Sequence, residues 1–206
     1  MDTIDPADVR RVLTGEQLRR GAAGLSYRAE QLAFVTMLSP LPRAVGERGA
    51  RAIWNARIES VLVHGRALSY FLRANTPAKG DLHYTHYSKS VWSKGARRID
   101  EIASKIIDLA STHLAHASIG KPGWEPHPGE WPLAEIAVVC CYSLRDFVLE
   151  LSWKYPERAA LFGDRPDQIC DDIGAQFPGL QRTRISDHPE VGDLSSSLQR
   201  FIGFED

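Results

Sequence analysis

The sequence predicts an all-α protein, an antiparallel helical bundle with three long helices and shorter terminal helices. Three observations carry that prediction. Long stretches place apolar residues three and four apart, no segment alternates with the period of two that a half-buried strand needs, and clusters of Pro and Gly separate the stretches. At 206 residues, with 43% hydrophobic and 25% charged side chains, the chain has the size and composition of one domain that buries a full core without disulfide staples.

Residues 1–42 read as short N-terminal helices, 43–155 as the bundle core and 156–206 as a C-terminal extension. Asp5-Pro6 suits a helix start, because Asp caps and Pro fits the first turn. That helix is expected to end near Gly21–Gly24, with a second short one from Ser26 to Leu38 and a break at Ser39-Pro40-Leu41-Pro42. The first long helix runs from about Arg43 to Ala74, with Trp54, Ile58, Val61, Leu68 and Leu72 on one stripe and Gly65 filling a place in it. A loop over Asn75–Ser90 holds the run Asp-Leu-His-Tyr-Thr-His-Tyr at 81–87. The second long helix carries Ile99, Ile102, Ile106 and Leu109 and stops by Gly120, Pro122 and Gly123. The third runs from about Pro132 to Trp153, with Leu133, Ala137, Cys140, Leu144, Phe147 and Leu151 as its buried row. Pro156 closes it, and the mostly polar stretch Gln176–Glu190 is expected to pack poorly.

Charge excludes one broad class. A net charge of −1 argues against a generally basic nucleic-acid binder, and the arginines at 48, 51, 57, 66 and 73 read first as a solvated helical face. Three cysteines, two of them adjacent (Cys140, Cys141), make no disulfide framework, and a reducing cytoplasm suits them. The opening MDTIDPADVRR lacks a signal pattern, and no stretch approaches the ~20 apolar residues of a membrane span, so a cytoplasmic protein without membrane contact is expected.

The chemistry-bearing candidates are mostly histidines. The row 99, 102, 106, 109 continues to His113 and His116, which places both imidazoles where an apolar stripe runs out. Such a pair at i, i+3 can converge on an ion or a phosphate, yet spacing supplies no third ligand. His64 sits in a row with Ser60, Ala67 and Phe71 beside the apolar stripe and is expected to reach a facing helix. Glu59 and Arg66 are seven apart, share another face, and lie too far apart for direct contact. His83-x-x-His86 has zinc-like spacing, which is cheap in a chain with seven histidines. Arg182 and His188 make an Arg-x5-His string in a polar stretch and are discounted. Phosphate loop, nucleophile elbow and HExxH motifs are absent, and the cysteines read as core packing.

The segment Asn55-Ala-Arg-Ile-Glu59-Ser-Val-Leu-Val-His64-Gly-Arg66-Ala-Leu68, followed by Phe71-Leu72, resembles a group of small helical bacterial proteins. Their pattern is a Glu, then His-x-Arg-x-Leu, then Phe-Leu. His113-Leu-Ala-His116-Ala-Ser118-Ile-Gly-Lys121 resembles their later His-Leu-Thr segment with a basic residue after it, and Glu130-Trp131-Pro132 fits as well. The helix order is similar to that of the HEPN superfamily, whose members often dimerise and, where active, cut RNA without metal through an Arg-x4–6-His motif. The long helices here lack that motif, and Lys121 stands where an arginine is expected after His116. The resemblance singles out His116 over His113.

Two functions follow as expectations. One is a HEPN-like interaction module, homodimeric, in which Glu59, His64, Arg66, His116 and Lys121 form a buried polar network. The other is an RNA- or nucleotide-directed protein, a metal-independent ribonuclease with His116 and His64 as catalytic candidates and Arg66 and Lys121 neutralising phosphate. A metal site of His64, His113 and His116 ranks third. No cofactor is expected.

Overall fold

A computed structural model of the chain describes residues 13–38, 46–74, 81–116 and 132–177. Six helices pack against one another and no strand occurs among the described residues: α1 (Gly15–Met37), α2 (Gly46–Leu72), α3 (Ser93–His116), α4 (Leu133–Lys154), α5 (Pro156–Ala159) and α6 (Arg165–Gln176). A single 3-10 turn, Tyr84–His86, lies in the α2–α3 connection. Asp5-Pro6, Ser39–Pro42, the expected stop at Gly120–Gly123 and the stretch beyond Phe177 lie outside the described residues.

The first helix corrects the expected break. α1 is one continuous helix of 23 residues that passes through Gly21 and Gly24. Thr14 opens it with a capping box: its Oγ1 accepts from the Gln17 amide at 3.2 Å, and Gln17 Oε1 accepts from the Thr14 amide at 2.9 Å. Two glycines in a helix interior together cost about 2 kcal/mol. Leu18, Leu25 and Leu32 are buried on one face of the same helix, and burying each contributes roughly 1.5–3 kcal/mol, so packing wins. Gly21 is required for another reason than helix termination. A Cβ there would lie 2.8 Å from Leu82 Cδ2 and 2.8 Å from the Tyr87 hydroxyl. The α2–α3 connection sits directly on α1 at that point.

The three long stripes are buried as expected, except that Trp54 at the start of the α2 stripe is only partly buried. Ile58, Val61, Leu68 and Leu72 on α2, Ile99, Ile102, Ile106 and Leu109 on α3, and Leu133, Ala137, Cys140, Leu144, Phe147 and Leu151 on α4 join one core with α1 and α6. Contacts fix the directions. Tyr27 meets His64 and Thr36 meets Arg57, so α1 and α2 run antiparallel. Ser69 meets Cys140 at 3.8 Å and Phe71 meets Phe147 at 5.3 Å between ring centroids, so α2 and α4 run parallel. Gly65 marks the closest approach, since a Cβ there would lie 2.8 Å from Ile136 Cγ2 and 3.6 Å from Ile106 Cγ2. The arrangement is up-down-up-down, with α6 closing over α1 and α4.

Residues 81–92 of the α2–α3 connection plug into the bundle. Tyr87 is fully buried, its hydroxyl donates to the Leu18 carbonyl at 2.8 Å, and its ring joins Phe71, Phe147 and Phe162. Trp92 has φ 70, the left-handed region that a bulky side chain avoids. It is held there by its indole N–H donating to the Leu72 carbonyl at 2.9 Å and its amide donating to Glu150 at 3.1 Å. Gly95 makes room, because a Cβ there would lie 2.5 Å from the indole ring. Such a conformation costs on the order of 1–3 kcal/mol, so the surrounding contacts determine it.

Candidate functional site at the α1–α2 seam

His64 emerges from α2 beside the core stripe and reaches α1, as its row with Ser60, Ala67 and Phe71 predicts. Its ring meets Tyr27 edge-on, centroids 6.2 Å apart and planes at 87°. Burial, and then the charge of Arg28, lowers its pKa below the usual histidine range. The imidazole is therefore neutral at pH 7. Nδ1 is buried and has no hydrogen-bond partner among the described residues.

Further along the seam, the Arg57 guanidinium donates to the Thr36 carbonyl and lies over the Trp54 ring, 5.2 Å from its centroid. Thr36 is in the last turn of α1, so this cation serves one of the carbonyls that a helix end leaves open. Burial lowers the Arg57 pKa from its ordinary value. Tyr27, Arg28, Trp54 and Arg57 did not stand out in the sequence as site residues. Only the pairing of α1 with α2 assembles them.

Of the other predicted site residues, Glu59 and Arg66 are described, and neither is bonded to His64. Glu59 is exposed, and Arg66 lies over the ring of Tyr70, 5.5 Å from its centroid. Both project about a quarter turn or more from the buried stripe, which keeps them out of a dry core. His113 and His116 fall within α3, but their side chains lie outside the described part, as does Lys121. Among the described residues no group of three or more His, Cys, Asp or Glu is placed to hold a metal ion.

His83 and His86 have another role than the zinc-like spacing suggests. His83 Nε2–H donates to the Arg73 carbonyl at 2.9 Å, and Nδ1 lies 2.9 Å from the Thr85 hydroxyl, which fixes a neutral tautomer with Nδ1 as acceptor. His86 Nδ1 accepts from the His83 amide at 3.0 Å. Both rings stitch the connection to itself and to the end of α2.

The cysteines are core residues. Cys140, Cys141 and Cys170 are free and buried, and burial pushes the Cys140 and Cys170 thiols up to about 12 and Cys141 well above its ordinary value. None is poised as a nucleophile at neutral pH.

No family model matches the chain, and neither curated proteins nor solved structures give a match. No helix among the described residues is long and apolar enough to cross a membrane.

Proposed function

We propose that the protein is a HEPN-like helical interaction module without catalytic activity, which pairs with a second copy of itself through the outer face of α1 and α2. One observation carries this reading. On α1, Tyr27 and Phe34 are spaced seven apart on the side away from the core and are 55% and 57% exposed, and Leu38, just past the helix end, is 40% exposed. Beside them on α2, Ile53, Ala56, Ser60, Val63 and Ala67 follow steps of three and four, mostly small, with Ile53 40% and Val63 43% exposed. Large residues on one helix and small ones on its neighbour suit a two-fold pairing, in which the knobs of one copy meet the shallow stripe of the other. Two helices of this length offer a face of about 35 Å by 20 Å, roughly 700 Å², near the ~800 Å² per partner of a stable pair. The HEPN-like part of the reading rests on the sequence resemblance, and a reducing cytoplasm fits the three free thiols.

Sedimentation of the full chain tests the pairing. A dimer is expected at micromolar concentration, and Phe34→Glu is expected to give a monomer with unchanged helical content. A wild-type monomer, or a Phe34→Glu variant that still pairs, would sink the proposal.

A second reading, an RNA- or nucleotide-directed protein, is favoured by the neutral His64 beside Arg28. His116 and Lys121 would add an acid/base group and a phosphate contact. Incubation of mixed RNA with wild type, His64→Ala and His116→Ala separates the readings. Metal-independent cleavage lost in both variants supports the second, and equal outcomes for all three proteins remove it.

A further inference from the structure

We propose that the 81–92 connection is an acid-sensitive latch, held shut by the neutral ring of His83 and released when that ring takes a second proton. The connection ties four helices. Its Tyr87 hydroxyl donates to Leu18 of α1 at 2.8 Å, and its Trp92 indole donates to Leu72 of α2 at 2.9 Å. The Trp92 amide donates to Glu150 of α4 at 3.1 Å, and the Tyr87 carbonyl accepts from Arg158 of α5. His83 is the buried residue of its N-terminal half, only 2% exposed, with its ring against that of Tyr84, centroids 4.3 Å apart and planes tilted by 41°.

A proton delivered from solvent to Nδ1 converts that atom from acceptor to donor. The Thr85 amide, 3.4 Å away, then faces a donor, and the Thr85 hydroxyl must turn to accept. The new charge lies in poor company. Arg73, just past the end of α2, and His86 in the connection both oppose it by their charge, and Arg97 and Asp100 of α3 act on the neighbouring Tyr84. Asp100 is the one carboxylate of that set, and it already accepts from the Ala74 amide at 2.9 Å. Burial holds the His83 pKa below its ordinary value; the bond to the Arg73 carbonyl works the other way, and the charges of His86 and Arg73 add to the lowering. The sign is then fixed. A histidine with a depressed pKa in the closed state stabilises closure above its free pKa and loses that stabilisation as pH falls below about 6.5.

Hydrogen exchange read by mass spectrometry on the full chain, corrected for intrinsic rates, tests the latch. From pH 7.5 to 5, opening of the peptide spanning 82–92 is expected to rise by up to about thirtyfold, while α4 stays protected. His83→Gln keeps a donor for the Arg73 carbonyl and cannot titrate, so its opening is expected to be independent of pH over that range. The same pH response in His83→Gln, or a flat response in wild type, overturns the proposal. Should His83→Gln fail to fold, the wild-type ring is followed directly by nuclear magnetic resonance. A His83 titration midpoint at or above the free value overturns the latch, and one below it that coincides with loss of 82–92 protection supports it.

Discussion

His64 and His83 are both partly or wholly withdrawn from water, and burial depresses the pKa of each, but their surroundings differ. Each His83 ring nitrogen has a partner, whereas His64 Nδ1 has none among the described residues. His83 lies in a connection pinned by four helices, and His64 lies on a two-helix seam whose outer side is open to solvent. The contrast separates a histidine whose ring bonds hold a connection in place from one whose buried Nδ1 makes no such bond. A satisfied buried imidazole stabilises the fold through its bonds, while an unsatisfied one costs stability and persists where something else needs it.

The largest effect is expected at His83. His83→Ala removes the donor to Arg73, the acceptor for Thr85 and a buried ring, and should lower unfolding free energy by about 2–3 kcal/mol in denaturant titration. A loss below ~1 kcal/mol would mean that the connection is not held by this ring.

A smaller and more diagnostic pair lies on α1. Gly21→Ala places a Cβ against Leu82 and the bonded Tyr87 hydroxyl, and the gain in helix propensity only partly offsets that overlap, so a net loss of about 0.5–1 kcal/mol is expected. Gly24 has nothing within 4 Å of an added Cβ, so Gly24→Ala should stabilise by about 0.5–1 kcal/mol. Thermal melts that move in the same direction for both variants would contradict the seating of the connection on α1.

The smallest effect is expected at His64. His64→Ala removes an unpartnered nitrogen and an edge contact with Tyr27, so stability should change by no more than about 0.5 kcal/mol. A stability loss as large as that of His83→Ala would erase the distinction between the two sites.

Much of the fold was legible because helix periodicity is a local signal. The stripe Ile99, Ile102, Ile106, Leu109 and the row Leu133 to Leu151 named their buried faces before any partner was known. Gly21 was misread for a physical reason. A glycine that ends a helix and a glycine that seats a neighbouring segment look alike in sequence, and only the Leu82 and Tyr87 atoms distinguish them. The candidate site was legible in one residue. His64 was marked by its place beside the stripe, but Tyr27 and Arg28 lie more than thirty positions earlier and carry no motif. Glu59 and Arg66 were grouped with it by pattern, although their helical angle turns them outward.

By itself the sequence determined an all-helical bundle, its apolar stripes, and thiols that belong to packing, since all three follow from residue type and spacing along one chain. Tertiary structure alone decided that His83 is a structural clasp rather than a ligand, and that Trp92 adopts a left-handed backbone over Gly95. It likewise set the large residues of α1 beside the small ones of α2 on an open face. Each of these depends on which atoms of distant segments meet, and hydrogen-bond satisfaction and steric fit are properties of that meeting rather than of any local pattern.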